Sequence, residues 1–462
     1  MCKTMKIWCL FFIIFLMNPL ICAFSYNQLD SQKNLGELKI LEGGWVEERG
    51  GVKILHISGS HYEMGYQYGY LLKDELHENI RAILQFSEKE GYSFDWLVSK
   101  WVIREQYTHE KYIEELHGIA EGAEISYEEI AATHMAFETC GIMQCFGIAA
   151  WNTSTSDGSL LLAKSFDQQS VIIDPISGKN IYENQVLIIR KPAGGYASIT
   201  PSIIGRINGG GGFNEKGIAY SVMLSWSVDQ SYLGPNFIIS GQQILDYSAS
   251  IDEALGFILE NNTFGWNYIL SDSKIPIAYI VELSGNSSYI GTWDDPSEST
   301  HPFWKINYLV RRTNFFINPD MASDQRKHYN IGGIMGFFDL IKYDIFSLLN
   351  IHTADIPLKP FFPIWRDYKV MSHKLEQLNG EFNLTNMLTV MRDVYSGKSD
   401  ILLNIMRLVA RGQGFQEACN QWVCCPEKGD ILVSFADREN CAQFNEIHYF
   451  NFDDLLNATP PG

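Results

Sequence analysis

The sequence predicts an α+β fold. Short stretches rich in aromatic and β-branched residues read as strands, and stretches of helical pattern are interspersed among them. The clearest strand pair runs Cys145-Phe-Gly-Ile-Ala-Ala-Trp151, then Asn152-Thr-Ser-Thr-Ser-Asp157-Gly158, then Ser159-Leu-Leu-Leu-Ala-Lys164-Ser-Phe-Asp167. Its outer parts are short and apolar, and its polar middle ends in Asp-Gly, a strong turn signal. With 462 residues, 46% of them hydrophobic, the chain suits one large domain or two of ordinary size.

In chain order, Lys3 and Lys6 precede an apolar run from Ile7 to Met17, and Ile21-Cys22-Ala23 offers a cleavage site. Residues 1–23 are therefore expected to be a signal peptide, the run being shorter than the ~20 residues of a membrane span. No later segment is long and apolar enough to cross a bilayer. The expected setting is secreted or lysosomal. A formal charge of −19 suits it and argues against nucleic acid, whose phosphates demand a basic face. In that setting the sequons at Asn152, Asn261, Asn286, Asn383 and Asn457 are glycosylation candidates wherever they are exposed.

Residues 24–50 read as a lead-in strand and loops. Ser60 can cap a helix in which Gly65 and Gly69, four apart, share one face and let another element approach closely. From Phe94 to Phe137 the pattern is helical, broken near 118–126, with Ser126 and Glu129 forming a capping box. His109, His117 and His134 lie here. A papain-like Cys–His pair would recruit one of them, although no local papain signature is present. Strands are expected near 185–190, 197–204 and 217–225. The run Gly209-Gly-Gly-Gly212 between them tempts a phosphate-loop reading, but no Gly-Lys-Ser/Thr and no helix start follow it. Helices near 236–249 and 252–261 lead to a second hairpin, 264–272 with 278–282. Residues 322–349 and 366–395 read as mainly helical around a loop at 357–363. Strands at 419–423, 431–436 and 446–450 complete the chain.

Of nine cysteines, Cys2, Cys9 and Cys22 would leave with the signal peptide. Cys140, Cys145, Cys419, Cys424, Cys425 and Cys441 remain, an odd five once Cys145 is reserved as a nucleophile. Cys419 and Cys441 flank a C-terminal hairpin and are plausible disulfide partners. Cys140 could bridge the halves of a cut chain. The adjacent Cys424 and Cys425 fit no usual zinc spacing, so neither a metal nor another cofactor is expected.

The first hairpin carries the chemistry. If its loop is centred near Thr155, Cys145 lies opposite Ser165, within one residue of register, and Asp167 shares a face with Ser165. A thiol, the Lys164 cation and the Asp167 carboxylate are then expected to meet at the open end. A cysteine heading a mature chain carries its own base, since an α-amine with a pKa of ~7.7–8 is partly neutral at neutral pH.

This stretch resembles the N-terminal-nucleophile (Ntn) hydrolases, and within them the isopenicillin-N acyltransferase-like cysteine family. Members carry Cys, then Trp, then Asp-Gly, then a strand ending in Gly-Arg-Asn-x-Asp. Cys145, Trp151, Asp157, Gly158 and Asp167 match, while Ala163, Lys164 and Ser165 replace the Gly, Arg and Asn. Lys keeps the charge but loses the planar fork. The string from Gly59 to Leu72 resembles the family's first helix, with its Gly-x-x-x-x-Met-Gly-x-Gln-x-Gly pattern. Asn214 matches a family turn. Related enzymes place an oxyanion-binding Asn about ten residues later, where this chain has Leu224 and Ser225, so Asn214 and Ser225 become substrate-binding candidates. Asn267 matches the Asn of a family strand that donates to the oxyanion. Arg311-Arg312-Thr313-Asn314 resembles a segment that often reads Thr-Asn-His, with Phe315 departing. Met391-Arg392-Asp393 matches a Leu-Arg-Asp.

The resemblance covers most of residues 50–455 and implies a four-layer αββα sandwich. It also implies self-processing. The Cys145 thiol would attack the Gln144 carbonyl, and water would open the thioester to leave chains 24–144 and 145–462 associated. The new amine of Cys145 would be the base, Asn267 would stabilise the oxyanion, Lys164 would favour the thiolate, and Asp167 would orient the amine and Lys164. The implied substrate is a small-molecule amide or lipid amide, hydrolysed or passed as an acyl group to an amine. Two other readings stay open. One is a lipid hydrolase of the phospholipase-B-like or acid-ceramidase-like kind. The other is a non-catalytic binding protein, which the substitutions at Lys164 and Ser165 motivate.

Overall fold

The computed structural model describes residues 39–140, 143–169, 172–259, 263–300, 303–325, 363–396 and 416–460. The expected signal peptide, the sequon at Asn261 and most of the helical stretch expected at 322–349 lie outside the described residues.

Three strands open the described chain: β1 (Lys39–Leu41), β2 (Gly44–Arg49) and β3 (Val52–Gly59). Five helices follow: α1 (His61–Leu71), α2 (Lys73–Lys89), α3 (Phe94–Glu105), α4 (Glu110–Ala123) and α5 (Tyr127–Thr139). Ser60 and Ser126 cap α1 and α5 as the sequence predicts, Ser126 in the expected capping box with Glu129 and Ser60 in a further one with Glu63. Helix α2, not foreseen, follows the same physics: Leu76, Ile80, Ile83 and Phe86 recur at helical spacing and are buried. Helices α1 and α4 touch backbone to backbone. A Cβ on Gly65 would stand 2.0 Å from the Glu115 carbonyl oxygen, and one on Gly118 would stand 2.3 Å from that of Tyr62. Only glycine permits this approach.

The remaining strands are β4 (Met143–Asn152), β5 (Gly158–Gln169), β6 (Gln185–Pro192), β7 (Ser198–Ile203), β8 (Gly211–Asn214), β9 (Ile218–Leu224), β10 (Trp266–Asp272), β11 (Ile277–Leu283), β12 (Ser288–Gly291), β13 (Leu309–Arg312), β14 (Gln416–Cys425), β15 (Asp430–Phe435) and β16 (His448–Asn451). They form two sheets. One has ten strands in the order β1-β2-β3-β6-β7-β8-β9-β10-β11-β12, and the other has six in the order β13-β4-β5-β14-β15-β16. The β3–β6 ladder is parallel and joins the N-terminal segment to the rest of its sheet.

The sheets face each other, with β4 and β5 against β9, and β4 also against β10 and β11. Outside the ten-stranded sheet lie α1, α6 (Phe237–Tyr247) and α7 (Ile251–Leu259). A short α8 (Pro319–Gln325) follows β13. Outside the six-stranded sheet, α10 (Leu384–Ser396) lies on β5, β14 and β15, with α9 (Pro363–Gln377) beside it. The order is helix, sheet, sheet, helix, an αββα sandwich. Successive residues of β4 and β5 serve different layers. Ala149, Leu160, Leu162 and Phe166 join the core shared with the ten-stranded sheet. Phe146, Ile148, Ala150, Leu161 and Ala163 join the core against Tyr368, Met371, Met387 and Met391. No helix among the described residues is long and apolar enough to cross a membrane.

Candidate active site

The β4–β5 hairpin forms, but with a register that reverses one expectation. At the loop, Asn152 pairs with Gly158. A bulge between Ala150 and Asn152 then shifts the pairing by one, so that Cys145 faces Phe166 and Phe146 faces Ser165. Asn152 adopts a left-handed φ of 53°, and the Trp151 N–H donates to the Tyr308 carbonyl at 3.1 Å, extending the pairing of β4 with β13. Because side chains alternate, a slip of one residue moves a whole set to the other face. Cys145 thus shares a face with Lys164 and Phe166, whereas Ser165 and Asp167 point toward α10. The expected meeting of thiol and carboxylate on one face does not occur. The Asp167 carboxylate accepts from Ser165 Oγ at 2.9 Å and from the Tyr395 hydroxyl. What Asp167 offers the Cys145 sulfur is its main-chain N–H.

Cys145 is 3% exposed. Burial pushes its thiol up to about 11, while Lys164, the Asp167 amide and Arg206 favour the thiolate. Lys164 is also buried, and its Nζ donates to the Gly210 carbonyl at 2.6 Å and the Gly209 carbonyl at 3.3 Å. Burial holds it down to about 8, with Cys145 opposing that fall and Arg206 adding to it. The glycine run is therefore a seat for the Lys164 amine and turns carbonyl oxygens, not N–H groups, toward it. A Cβ on Gly210, where φ is +76°, would stand 2.7 Å from Lys164 Nζ. Arg206 stacks over Phe137 and Phe166, at 4.6 and 4.7 Å from the ring centres, and burial lowers it to about 10. Nothing in the sequence around Arg206 marks it, because it follows β7 in a connection of no distinctive pattern.

The main-chain N–H of Cys145 donates to Asn314 Oδ1 at 2.9 Å, and Asn314 Nδ2 donates to the Leu224 carbonyl at 2.6 Å. Asn314 lies in a loop held on every side by buried side chains. Asn267 Nδ2 donates to the Thr313 and Phe315 carbonyls at 2.8 and 2.9 Å. Gln325 accepts from Phe316 N at 2.6 Å and donates to the Asn314 carbonyl at 3.0 Å. Glu282 accepts from Ile317 N and Asn318 N and pairs with Arg312, which also reaches Glu298. Both N–H groups of the Asn267 amide are thus engaged by the loop, while its Oδ1 is buried without a hydrogen bond. Asn314 was legible only as part of a Thr-Asn string without a role. Glu282 and Gln325 carried no signal at all.

The other candidates fall elsewhere. Asn214 spends its amide on the turn itself, donating to Leu245 and Ser248 and accepting from Lys216 N and Ile218 N. Ser225 follows the Leu224 carbonyl that holds Asn314, and its hydroxyl is buried without a hydrogen bond. His109 caps α4, His117 stacks on Tyr127 at 4.0 Å, and His134 bonds the Ile130 carbonyl of its own helix. Gln144 pairs with Asp167 in the ladder, so the expected scissile bond lies inside a strand. All six described cysteines are thiols, so neither expected disulfide is made. Cys140 turns into its own segment and donates to Ser87 Oγ at 3.2 Å. Cys419 lies within electrostatic reach of Cys441. Among the described residues, no group of three or more His, Cys, Asp or Glu could hold a metal. Asn152, Asn286, Asn383 and Asn457 are exposed.

No protein-family model matches the chain. It is similar to protein dcd1B of Dictyostelium discoideum, 26% identical over 317 residues that cover 59% of this chain and 60% of that protein. It is 23% identical over 267 residues to an uncharacterized protein of Archaeoglobus fulgidus, covering 50% of this chain and 43% of that one. The chain therefore spans less than two thirds of the length of these relatives. Among solved structures, an N-acylethanolamine-hydrolyzing acid amidase ortholog of Caenorhabditis elegans aligns with a TM-score of 0.35 and 11% identity, over 66% of this chain and 99% of that one. Penicillin V acylase from Agrobacterium tumefaciens aligns with a TM-score of 0.38 and 13% identity, over 66% of this chain and 86% of that one.

Proposed function

We propose that this chain is a self-processing cysteine amidohydrolase of the N-terminal-nucleophile type, cut between Gln144 and Cys145. One observation carries the reading. The buried Cys145 has its thiol within electrostatic reach of Lys164 and Arg206, and its nitrogen held by the side chain of Asn314. A cysteine in an ordinary strand needs neither cation, and its N–H is met by the ladder. A thiol and a nitrogen held separately on one residue suit a nucleophile that becomes its own base.

In this reading the cut leaves chains of about 24–144 and 145–462. They stay together because β3 is laddered to β6 and because Glu115 of the first chain pairs with Arg190 of the second. Asn314 then holds the freed amine. The thiolate, favoured by Lys164, attacks a non-peptide amide carbonyl and forms a thioester that water opens. The oxyanion lies against the Asn314 amide, with Asn267 fixing the loop that presents it. Asp167 serves through its main-chain N–H, and its carboxylate anchors the hairpin to Tyr395. The reading includes removal of the leader expected at 1–23 and passage through the secretory pathway, which the exposed sequons at Asn152, Asn286, Asn383 and Asn457 would suit. Transfer of the acyl group to an amine acceptor is the variant of the same chemistry.

The test is a denaturing gel of the purified protein with N-terminal sequencing. Two fragments, the larger beginning at Cys145, are expected. A single uncut chain that nonetheless hydrolyses an amide would remove the self-processing half of the proposal.

A further inference from the structure

The reading above leaves the first step without a base. Before the cut there is no α-amine: the Cys145 nitrogen is a peptide N–H, already donated to Asn314. A thiol in so apolar a site does not ionise by itself. His134 is turned back onto its own helix. The charged groups acting on the thiol come from two places in the fold: Lys164 and Asp167 on β5, and Arg206 after β7. From β14, Cys419 acts on Arg206 and Asp167. The Asp167 carboxylate lies across the sheet, accepting from Ser165 and Tyr395. Arg206 is a guanidinium and keeps its proton.

We propose that Lys164 is the base that starts self-cleavage, its neutral amine taking the proton from Cys145 Sγ. This rests on the Ntn reading and adds a role that an arginine at this position could not fill. The geometry suits a neutral amine. Lys164 sits on the Cys145 face of the hairpin, diagonal to it, opposite Gly147 on β4 and Trp422 on β14. Its Nζ meets two carbonyls, Gly210 and Gly209, and lies over the face of Phe166 at 5.5 Å, with Cys145, Arg206 and Asp167 within electrostatic reach. A neutral amine has two N–H bonds for those two carbonyls and one lone pair left over. Burial, which holds Lys164 down to about 8, keeps a usable neutral fraction near neutral pH.

The step balances as follows. Sγ–H gives its proton to Nζ, and the thiolate adds to the Gln144 carbonyl carbon. The C–N bond to Cys145 breaks as Nζ–H returns the proton to the leaving nitrogen. Water then opens the thioester, leaving a Gln144 carboxylate and a free Cys145 thiol and amine.

The experiment follows the cutting of freshly translated full-length chain on gels from pH 5 to 10. It uses wild type, Lys164→Arg and Lys164→Met, with a thermal melt of each. Wild type is expected to cut faster as pH rises and to level off near pH 8. Lys164→Arg keeps the charge but not the base, and should cut about 10²-fold more slowly, as loss of a general base does. Its rate should keep climbing beyond pH 9, where the thiol ionises unaided. Lys164→Arg cutting at the wild-type rate with the wild-type profile would overturn the proposal while leaving the Ntn reading intact. If the variants fail to fold, the wild-type profile decides alone: a rate without inflection between pH 7 and 9 also overturns it. Wild type that never cuts before Cys145 sinks the underlying reading instead.

Discussion

Two buried charge clusters in this molecule are built on opposite rules. Beneath the helices, Arg190 donates to both oxygens of Glu115 at 2.6 and 2.9 Å, and His61 Nδ1 meets the same carboxylate at 2.7 Å. Asp246 stands 3.6 Å from Arg190 and accepts from Tyr112 and Gln242. Opposite charges are paired there, and Arg190 holds the Glu115 carboxyl down to about 2 in spite of burial. At Cys145 two cations meet one thiol. Lys164 is held by neutral carbonyls, Arg206 stacks on aromatic rings, and burial depresses both. A cluster of hydrogen-bonded opposite charges fixes a shape. One in which two cations face a single thiol stores shifted pKa values that proton transfer can use.

The sharpest break of this contrast is at the thiol. Cys145→Ala should abolish both cutting and turnover, whereas Cys140→Ala, altering a helix-end residue bonded to Ser87, should still be cut. N-terminal sequencing and amide turnover check it, and the reverse pattern would move the nucleophile.

Next in size is the ion-paired cluster. Glu115→Gln leaves Arg190 buried beside a neutral amide and should cost about 3–5 kcal/mol of stability in urea melts. Protein that still folds should keep its turnover per molecule. The sign with pH follows from the lowered carboxyl: the Glu115 contribution is complete above about pH 4.5 and is lost as pH falls toward 2. Wild type should therefore lose stability over that window and Glu115→Gln should lose less.

A comparable loss, in rate rather than stability, is expected at the loop. Asn314→Ala in cut protein should lower turnover of a chromogenic amide about 10²–10³-fold, roughly 3–4 kcal/mol, as removal of an oxyanion donor does. Asn267→Ala should do less, because it frees the Thr313 and Phe315 carbonyls without removing a contact to Cys145. The opposite ranking would return the oxyanion role to Asn267 itself. The smallest effect belongs to the helix-facing side of the hairpin. Tyr395→Phe removes a hydroxyl shared by Ser165 and Asp167 and should cost about 1 kcal/mol of stability without slowing the cut.

Much of this architecture was legible in one dimension because its causes are local. Ser60 with Glu63 and Ser126 with Glu129 cap helices through contacts three residues apart. Gly65 and Gly69 announce a close approach because nothing else in a helix could allow it. The strands at 185–192, 198–203, 218–224 and 266–272 follow from runs of apolar and β-branched residues. Cys145, Lys164 and the Asp-Gly turn sit on one hairpin, so their proximity is a property of chain order.

What the chain order could not decide depends on partners far away in sequence. The bulge beside Trp151, whose N–H meets the Tyr308 carbonyl 157 residues later, puts Asp167 off the thiol's face. Arg206 reaches Cys145 only because one sheet is laid on the other, and Gly209 and Gly210 become a seat for Lys164 for the same reason. The hold of Asn314 on the Cys145 nitrogen spans 169 positions and needs Asn267, Glu282 and Gln325 to shape its loop. Hairpin pairing and helix caps are set by neighbours, whose identities the sequence states outright. The charge around a buried thiol is set by whatever the packed layers bring within a few ångströms, and that is decided when the two sheets close.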